Sequence, residues 1–335
     1  MELKLFEDKE RAEKTLRDEE FSPYFDFRYV DSTITKGVRF GINVKKPEKP
    51  SYLVIGTHGW HMSISKFQRL EKPVSKYLEV EVDMRGRAFS NGDPDCNGYE
   101  LYDVYDAVQF VLKEYKDYLL STEIIYFEGG SGGGGNALAI AGKFPDLFSA
   151  VNALCPIGDY AAWYKFDDKL KEFRDEMDVW IGCTPEDNME AYDARSGITV
   201  LPNLMTNLFI LHGNTDYRVP YFLTTDYIKK AKKLGKDEKI KLITLHGVGT
   251  RQHYGNATKR QLALIPYHCQ KNIDEHKEII EIPPVGEFVV GGYLVTKHFG
   301  VFADIDKVFR VQYDLKKKIV RAIDKNYEFK VVWYK

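Results

Sequence analysis

The sequence predicts an α/β fold with a mainly parallel central sheet flanked by helices, a helical cap insertion and a small β-rich C-terminal appendage. Three observations carry this prediction. Short continuous apolar runs, such as residues 52–57 and 207–213, alternate with stretches of helical periodicity. The runs end in loops rich in Gly, Asp and His, where open parallel sheets gather their ligands. The alternation lapses twice, over about 160–202 and again from 282 to the end.

Residues 1–22 read as a charged amphipathic helix whose Leu3, Leu5, Phe6 and Leu16 are too sparse for a deep core position. Residues 25–30 and 37–44 alternate in polarity, which predicts antiparallel strands joined by a turn around 32–36. A Lys/Pro linker over 45–50 leads into 52–57, a run suited to a buried parallel strand and ending in His58-Gly59-Trp60-His61. Helical periodicity covers 64–78, interrupted by Pro73, and a second buried run at 78–82 ends in the polar loop from Asp83 to Gly92. Val104, Ala107, Val108, Val111 and Leu112 form one stripe on a helix over 100–119. A strand over 124–128, a glycine-rich loop, a small-residue helix to 144 and a strand at 148–154 follow.

Residues 160–202 hold Trp163, Tyr164, Phe166, Phe173, Trp180 and Tyr192 and are too long for an ordinary connection. They are expected to form helices over the site, with Trp60, Trp163 and Trp180 as candidates to line an acyl or sugar pocket, buried core being the expected fate of at least one. The pattern resumes with a strand at 207–213, a helix at 222–234, a strand at 239–245 and a helix at about 256–272. Ile282-Pro283-Pro284 marks a change of character. Residues 288–290, 293–295, 308–313, 318–322 and 329–334 are strand-like, in a tail of about 54 residues that is small for independence. The division expected is a catalytic domain over 1–281 and an appendage over 282–335.

Composition narrows the function classes. With 335 residues, 44% hydrophobic and 14% aromatic, the chain can bury a sizeable core. Lys+Arg 48 against Asp+Glu 50 gives a formal charge of −2, and nothing points to a nucleic acid or an anionic membrane as partner. Cys96, Cys155, Cys183 and Cys269 are scattered, which argues against a zinc site and for reduced thiols. The N-terminus is charged throughout, and no apolar run approaches the roughly 20 residues of a membrane span. The expectation is a soluble, cytoplasmic protein without cofactor or metal.

The chemistry concentrates at Gly129-Gly130-Ser131-Gly132-Gly133, a Gly-x-Ser-x-Gly turn between a strand and a helix. So tight a turn holds the serine hydroxyl clear of the sheet at a helix N-terminus, where free N–H groups favour a developing oxyanion. The rival reading, a phosphate loop, needs a Gly-Lys-Ser/Thr that is absent here. Asp216, in the loop after the strand ending at His212, stands where a carboxylate can orient an imidazole, although an aspartate there can equally cap a turn. Two histidines compete as base after the last core strand. His246 abuts the strand end; His253 has the loop slack to reach the serine and is favoured. The oxyanion donors expected are the N–H groups of Gly132 and Trp60. His58 and His61 lack a third ligand at diagnostic metal spacing.

Over roughly residues 25–281 the sequence resembles the α/β-hydrolase superfamily. Ser131 matches its elbow nucleophile, Asp216 the acid of a His-Gly-x-x-Asp-x-x-Val-Pro segment, and His253 the base. Asp83-Met84-Arg85-Gly86 and Phe89-Ser90-Asn91-Gly92 resemble a stretch of the prolyl-oligopeptidase-like and acyl-esterase branches. Two departures stand out. The elbow runs on through Gly134 and Gly135, and the base loop reads Arg-Gln-His-Tyr-Gly in place of Gly-His-Gly. The resemblance implies cofactor-independent hydrolysis of an ester, acyl or acetyl and possibly on a carbohydrate, through an acyl-enzyme. The first alternative is a peptidase of the prolyl-oligopeptidase type, although residues 1–50 are too few for the large propeller such enzymes carry. The second is a non-catalytic binding module on the same scaffold.

Overall fold

The computed structural model describes residues 19–65, 67–167, 169–323 and 327–334. Alternating apolar runs place nine strands in one sheet: β1 (Glu20–Ser22), β2 (Phe25–Asp31), β3 (Arg39–Lys45), β4 (Leu53–Thr57), β5 (Leu78–Val82), β6 (Ile125–Gly130), β7 (Ala150–Leu154), β8 (Asn207–Gly213) and β9 (Ile240–Leu245). Their order is β1-β2-β3-β5-β4-β6-β7-β8-β9. Pairing is antiparallel from β1 to β5 and parallel from β5 to β9. Thr57 lies opposite both Val82 and Gly129, and Leu154 opposite both Gly130 and Leu211. The loops after β4, β5, β6, β7 and β8 therefore leave the sheet at a common level. Every candidate site residue outside the cap and the base loop comes from that edge.

The helices are α1 (Glu100–Glu114), α2 (Gly132–Lys143), α3 (Tyr160–Asp167), α4 (Arg174–Ile181), α5 (Met189–Arg195), α6 (Gly197–Val200), α7 (Phe222–Lys233) and α8 (Lys259–Glu275). The Asp95 carboxylate accepts the N–H groups of Tyr99 and Glu100 at 2.5 and 3.1 Å, which starts α1. A capping box between Thr258 and Gln261 starts α8. Helix α2 is buried along its whole length, and its Leu138 and Ile140 join Ile55, Phe127, Val151 and Ile210 in the main core. Residues 160–203 are helical over most of their length, as the cap was expected to be. No helix of the described residues is long and apolar enough to cross a membrane.

The C-terminal strands β10 (Val285–Gly291), β11 (Tyr293–Val295), β12 (Phe299–Phe302), β13 (Val308–Asp314), β14 (Ile319–Ala322) and β15 (Lys330–Trp333) form a second, antiparallel sheet. Its order is β14-β13-β10-β11-β12-β15. The sheet docks on the C-terminal end of α2. Tyr293 and Val295 belong to the main core, and the Asn203 amide bridges the carbonyls of Gly142 and Val289 at 3.0 and 2.7 Å.

Four expectations need correction. Residues 64–78 form no helix among those described. Buried Asp83 captures the Ser63 hydroxyl and the Ile64 N–H, the Asn43 amide takes Ser65 O, and Pro73 cannot continue a helix. With no helix there, Glu79, Glu81 and Glu128 face a cavity of about 550 Å³ walled by Pro266, Cys269 and Ile273 of α8. Of the expected N-terminal helix, residues 1–18 lie outside the described residues, and 20–22 pair with 25–27 as a strand. Helix α1 stops at Glu114, followed by a 3-10 turn at Lys116–Tyr118 whose Tyr118 carbonyl accepts the Ser51 N–H. Strand β12 was not foreseen; its Phe299-Gly300-Val301-Phe302 follows Thr296-Lys297-His298 closely and carries a glycine in a run without polar alternation.

Lys143 closes α2 from inside the protein. Its ammonium donates to Gly291 O and lies 4.5 Å from the Tyr293 ring centre. Burial, helped by the charge of Arg195, pushes its pKa down to about 7. Between about pH 7 and the ordinary lysine value of 10.5 the unfolded chain holds a proton that the folded one lacks, so this group makes stability rise with pH across that window. Denaturant unfolding at several pH values should show that rise in the parent protein, and K143M should flatten it. Parallel curves for the two proteins would contradict the assignment.

Candidate active site

Ser131 joins β6 to α2 with φ 59° and ψ −117°, a left-handed conformation rare for any residue but glycine. Its N–H donates to Leu154 O at 2.8 Å, and its carbonyl accepts the Gly135 N–H at 3.0 Å. These bonds hold the strained turn between two strands and the first turn of α2. The long glycine run answers to close approach. A Cβ on Gly132 would stand 2.7 Å from the Trp60 nitrogen, and one on Gly134 would stand 2.5 Å from Leu154 O.

The structure brings Ser131, His253 and Asp216 into one chain of hydrogen bonds. His253 Nε2 lies 2.8 Å from Ser131 Oγ, and His253 Nδ1 lies 2.6 Å from Asp216 Oδ2. The base loop is pinned by Gly249 N–H to Gly255 O at 2.8 Å and by Tyr217 N–H to Thr250 O at 3.0 Å. Asp216 Oδ1 accepts the N–H groups of Arg218 and Val219 at 3.0 and 3.1 Å. Burial works against ionisation of Asp216, yet hydrogen bonds from His212 and His253 outweigh it and hold its pKa at about 2. The competing His246 is exposed at the end of β9 and faces the Asn214 amide at 3.4 Å, away from this chain.

Beside Ser131, the loop after β4 brings the Trp60 nitrogen against Gly132. Among the described residues no acceptor takes the N–H of Trp60 or of Gly132. Both are the N–H groups expected as oxyanion donors. The loop has its own supports. His58 Nδ1 donates to Gly59 O at 2.9 Å while Nε2 accepts the Met84 N–H at 3.1 Å, a pattern that requires the neutral ring. Burial pushes the His58 pKa down to about 4, in keeping with that. Asp83 accepts from Ser63 Oγ, from Ile64 N–H at 3.1 Å, from Phe89 N–H at 2.8 Å and from Ser90 Oγ at 2.9 Å. Arg85 forms a bidentate pair with Asp103 of α1 at 2.6 and 2.7 Å. The Asp-Met-Arg-Gly stretch thus braces the loop after β4 and its neighbour.

The cap presses on the same loop. Trp60 stacks on Trp180 with ring centres 4.7 Å apart and meets Trp163 edge-on at 5.1 Å. Trp163 is 1% exposed, and its indole N–H donates to Arg218 O at 3.0 Å. It sits in a buried aromatic cluster instead of lining an open pocket, because α3 sets its ring against Trp60 and its indole N–H on the loop that carries Asp216. Trp180 borders a small cavity with Gly132, Arg87 and Tyr160, and Arg87 lies 4.4 Å over its ring.

Residues 82–272, more than half of the chain, match the prolyl oligopeptidase family. The chain belongs to that family. Several solved structures are similar to it in fold. An acylaminoacyl peptidase in complex with Z-Gly-Gly-Phe-chloromethyl ketone is 19% identical with a TM-score of 0.62, over 78% of this chain and 43% of that one. The Pyrococcus horikoshii acylaminoacyl peptidase is 20% identical with a TM-score of 0.59, over 77% and 43%. A Pyrococcus furiosus esterase is 11% identical with a TM-score of 0.55, over 76% of this chain and 92% of the esterase. This prolyl oligopeptidase family chain therefore spans less than half the length of the two peptidases and nearly all of the esterase.

One group with metal-ligand chemistry occurs among the described residues: Cys155, His212 and Asp216, whose ligand atoms lie within 4.8 Å of one another. Its atoms have other duties. Asp216 holds His253, His212 Nε2 donates to Val219 O at 3.0 Å, and burial pushes the Cys155 thiol up to about 12. His212 also stands 3.5 Å from Asp216 Oδ2, a supporting contact that sequence reasoning missed. The His-Gly-x-x-Asp spacing was the available signal for it. Glu176, which accepts hydrogen bonds from both Trp60 and His61, was missed as well, and no motif marks it. Removing the acceptors at position 83 strands several buried donors, so D83A should cost about 3 kcal/mol or more in denaturant unfolding. A loss below 1 kcal/mol would contradict the bracing role.

Proposed function

We propose that the protein is a serine hydrolase that cleaves carboxylic esters, acyl or acetyl, of a small molecule or carbohydrate. Ser131 Oγ attacks the acyl carbon while His253 Nε2 takes its proton. Asp216 stays ionised, holds the imidazole tautomer and stabilises the imidazolium that forms. The carbonyl oxygen becomes an oxyanion between the N–H groups of Trp60 and Gly132. Collapse breaks the ester bond, the alcohol leaves with the proton from His253, and water then repeats the sequence on the acyl-Ser131 ester. No cofactor enters. The observation that carries this reading is the unbroken chain Asp216–His253–Ser131, at 2.6 and 2.8 Å, ending on a serine with φ 59°.

Preference for an ester draws on the likeness in fold to the Pyrococcus furiosus esterase. A peptidase is the second reading, favoured by the family and by the likeness to acylaminoacyl peptidases. Incubation with a fluorophosphonate followed by peptide mapping should find the adduct on Ser131. Both S131A and H253A should abolish it, and H246A should not. Hydrolysis of p-nitrophenyl esters against aminoacyl p-nitroanilides then separates the two readings; faster turnover of the anilides would favour the peptidase. D216N should lower kcat by about 10⁴-fold through the wrong tautomer of His253. An unlabelled, folded protein would sink the hydrolase reading and favour a binding module.

A further inference from the structure

Helix α4 turns three consecutive contacts onto the loop that carries the second oxyanion donor. Trp180 stacks on the Trp60 ring, Phe173 at the head of the helix stacks on the His61 ring at 5.2 Å, and Glu176 lies between them. One oxygen of Glu176, Oε2, accepts the Trp60 indole N–H at 2.5 Å and His61 Nε2 at 2.8 Å. The residue is 4% exposed, and its second oxygen has no hydrogen-bond partner among the described residues. A buried carboxylate left half satisfied is costly, and a role in stability alone would be met better by an apolar side chain. Its two bonds both end on the residues that position the Trp60 N–H.

We propose that Glu176 is a positioning residue of the active site: through Trp60 and His61 it fixes the backbone that supplies the oxyanion donor, and so ties the cap to catalysis. The proposal rests on the hydrolase reading above. Backbone donors stabilise an oxyanion only while they are held in place, and a displacement near 1 Å can cost about 10²-fold. Glu176 touches neither Ser131 nor His253, and its effect falls on the transition state more than on substrate binding.

The test compares E176A, E176Q and W60F with the parent on a p-nitrophenyl ester, with the affinity of an aryl boronic acid as a second readout. E176A should lower kcat about tenfold or more with KM within about twofold, and weaken the boronic acid in parallel. E176Q keeps an acceptor oxygen and should restore most of kcat. W60F removes the indole donor and keeps the aromatic face; it should lower kcat as E176A does, and adding E176A to it should cost little more. Unchanged kcat in E176A, a rise in KM alone, or E176Q no better than E176A would overturn the proposal. If E176A does not fold, a W60F protein with parental kcat overturns it. Failure of the parent to turn over ester or to label at Ser131 would instead overturn the hydrolase reading, and the proposal with it.

Discussion

Two backbones meet where the loop after β4 passes the first turn of α2, and the Trp60 nitrogen comes so close to Gly132 that no side chain fits between them. That approach is possible only because the turn at Ser131 is left-handed and its neighbours are glycines. Much of the molecule serves to keep the two segments together. Level parallel strands bring both to one edge, the Asp83 network holds the loop from one side, and the cap helices close on it from the other. A site of this kind needs order on a scale below an ångström, and order here comes from packing and hydrogen bonds distributed over several elements.

Electrostatics follow the same plan. Asp216 is buried yet ionised because two N–H groups and two imidazoles converge on it, whereas His58 is buried and neutral because its ring must accept as well as donate. The two environments sort the groups into a fixed negative charge beside His253 and an uncharged strut under the loop after β4. Neither is adjustable by small shifts in solvent pH near neutrality.

Residues whose chemistry is local were legible in the sequence. Ser131 was marked by a turn that only glycines permit, and Asp216 and His253 by their places after successive strand ends. His253, and not His246, lies within hydrogen-bond distance of Ser131, as the spacing suggested: a residue fused to a strand end cannot reach across the edge, and a loop residue can. What escaped was everything decided by tertiary capture. The periodicity of 64–78 was genuine, but Asp83 and Asn43 competed for its backbone and won. Of the three tryptophans that could line a pocket or join the core, the sequence did not say that Trp163 would be core, because aromatic residues in a cap carry no mark of which side they will face. Glu176 looked like any charge on an amphipathic helix; only its burial against two donors gives it meaning.

The buried lysine at the end of α2 bears on how the molecule is made. Lys143 and its acceptor Gly291 are 148 residues apart, so on the ribosome the ammonium emerges long before its partner exists. Until then it waits in water as a full cation. Arrival of the second sheet strips its hydration and favours release of the proton, which links docking of that later-made sheet to the lysine's charge. Helix α2 is thus sealed at its far end only after the second sheet has been made, a timing that delays completion of this part of the scaffold until the polypeptide can bury it.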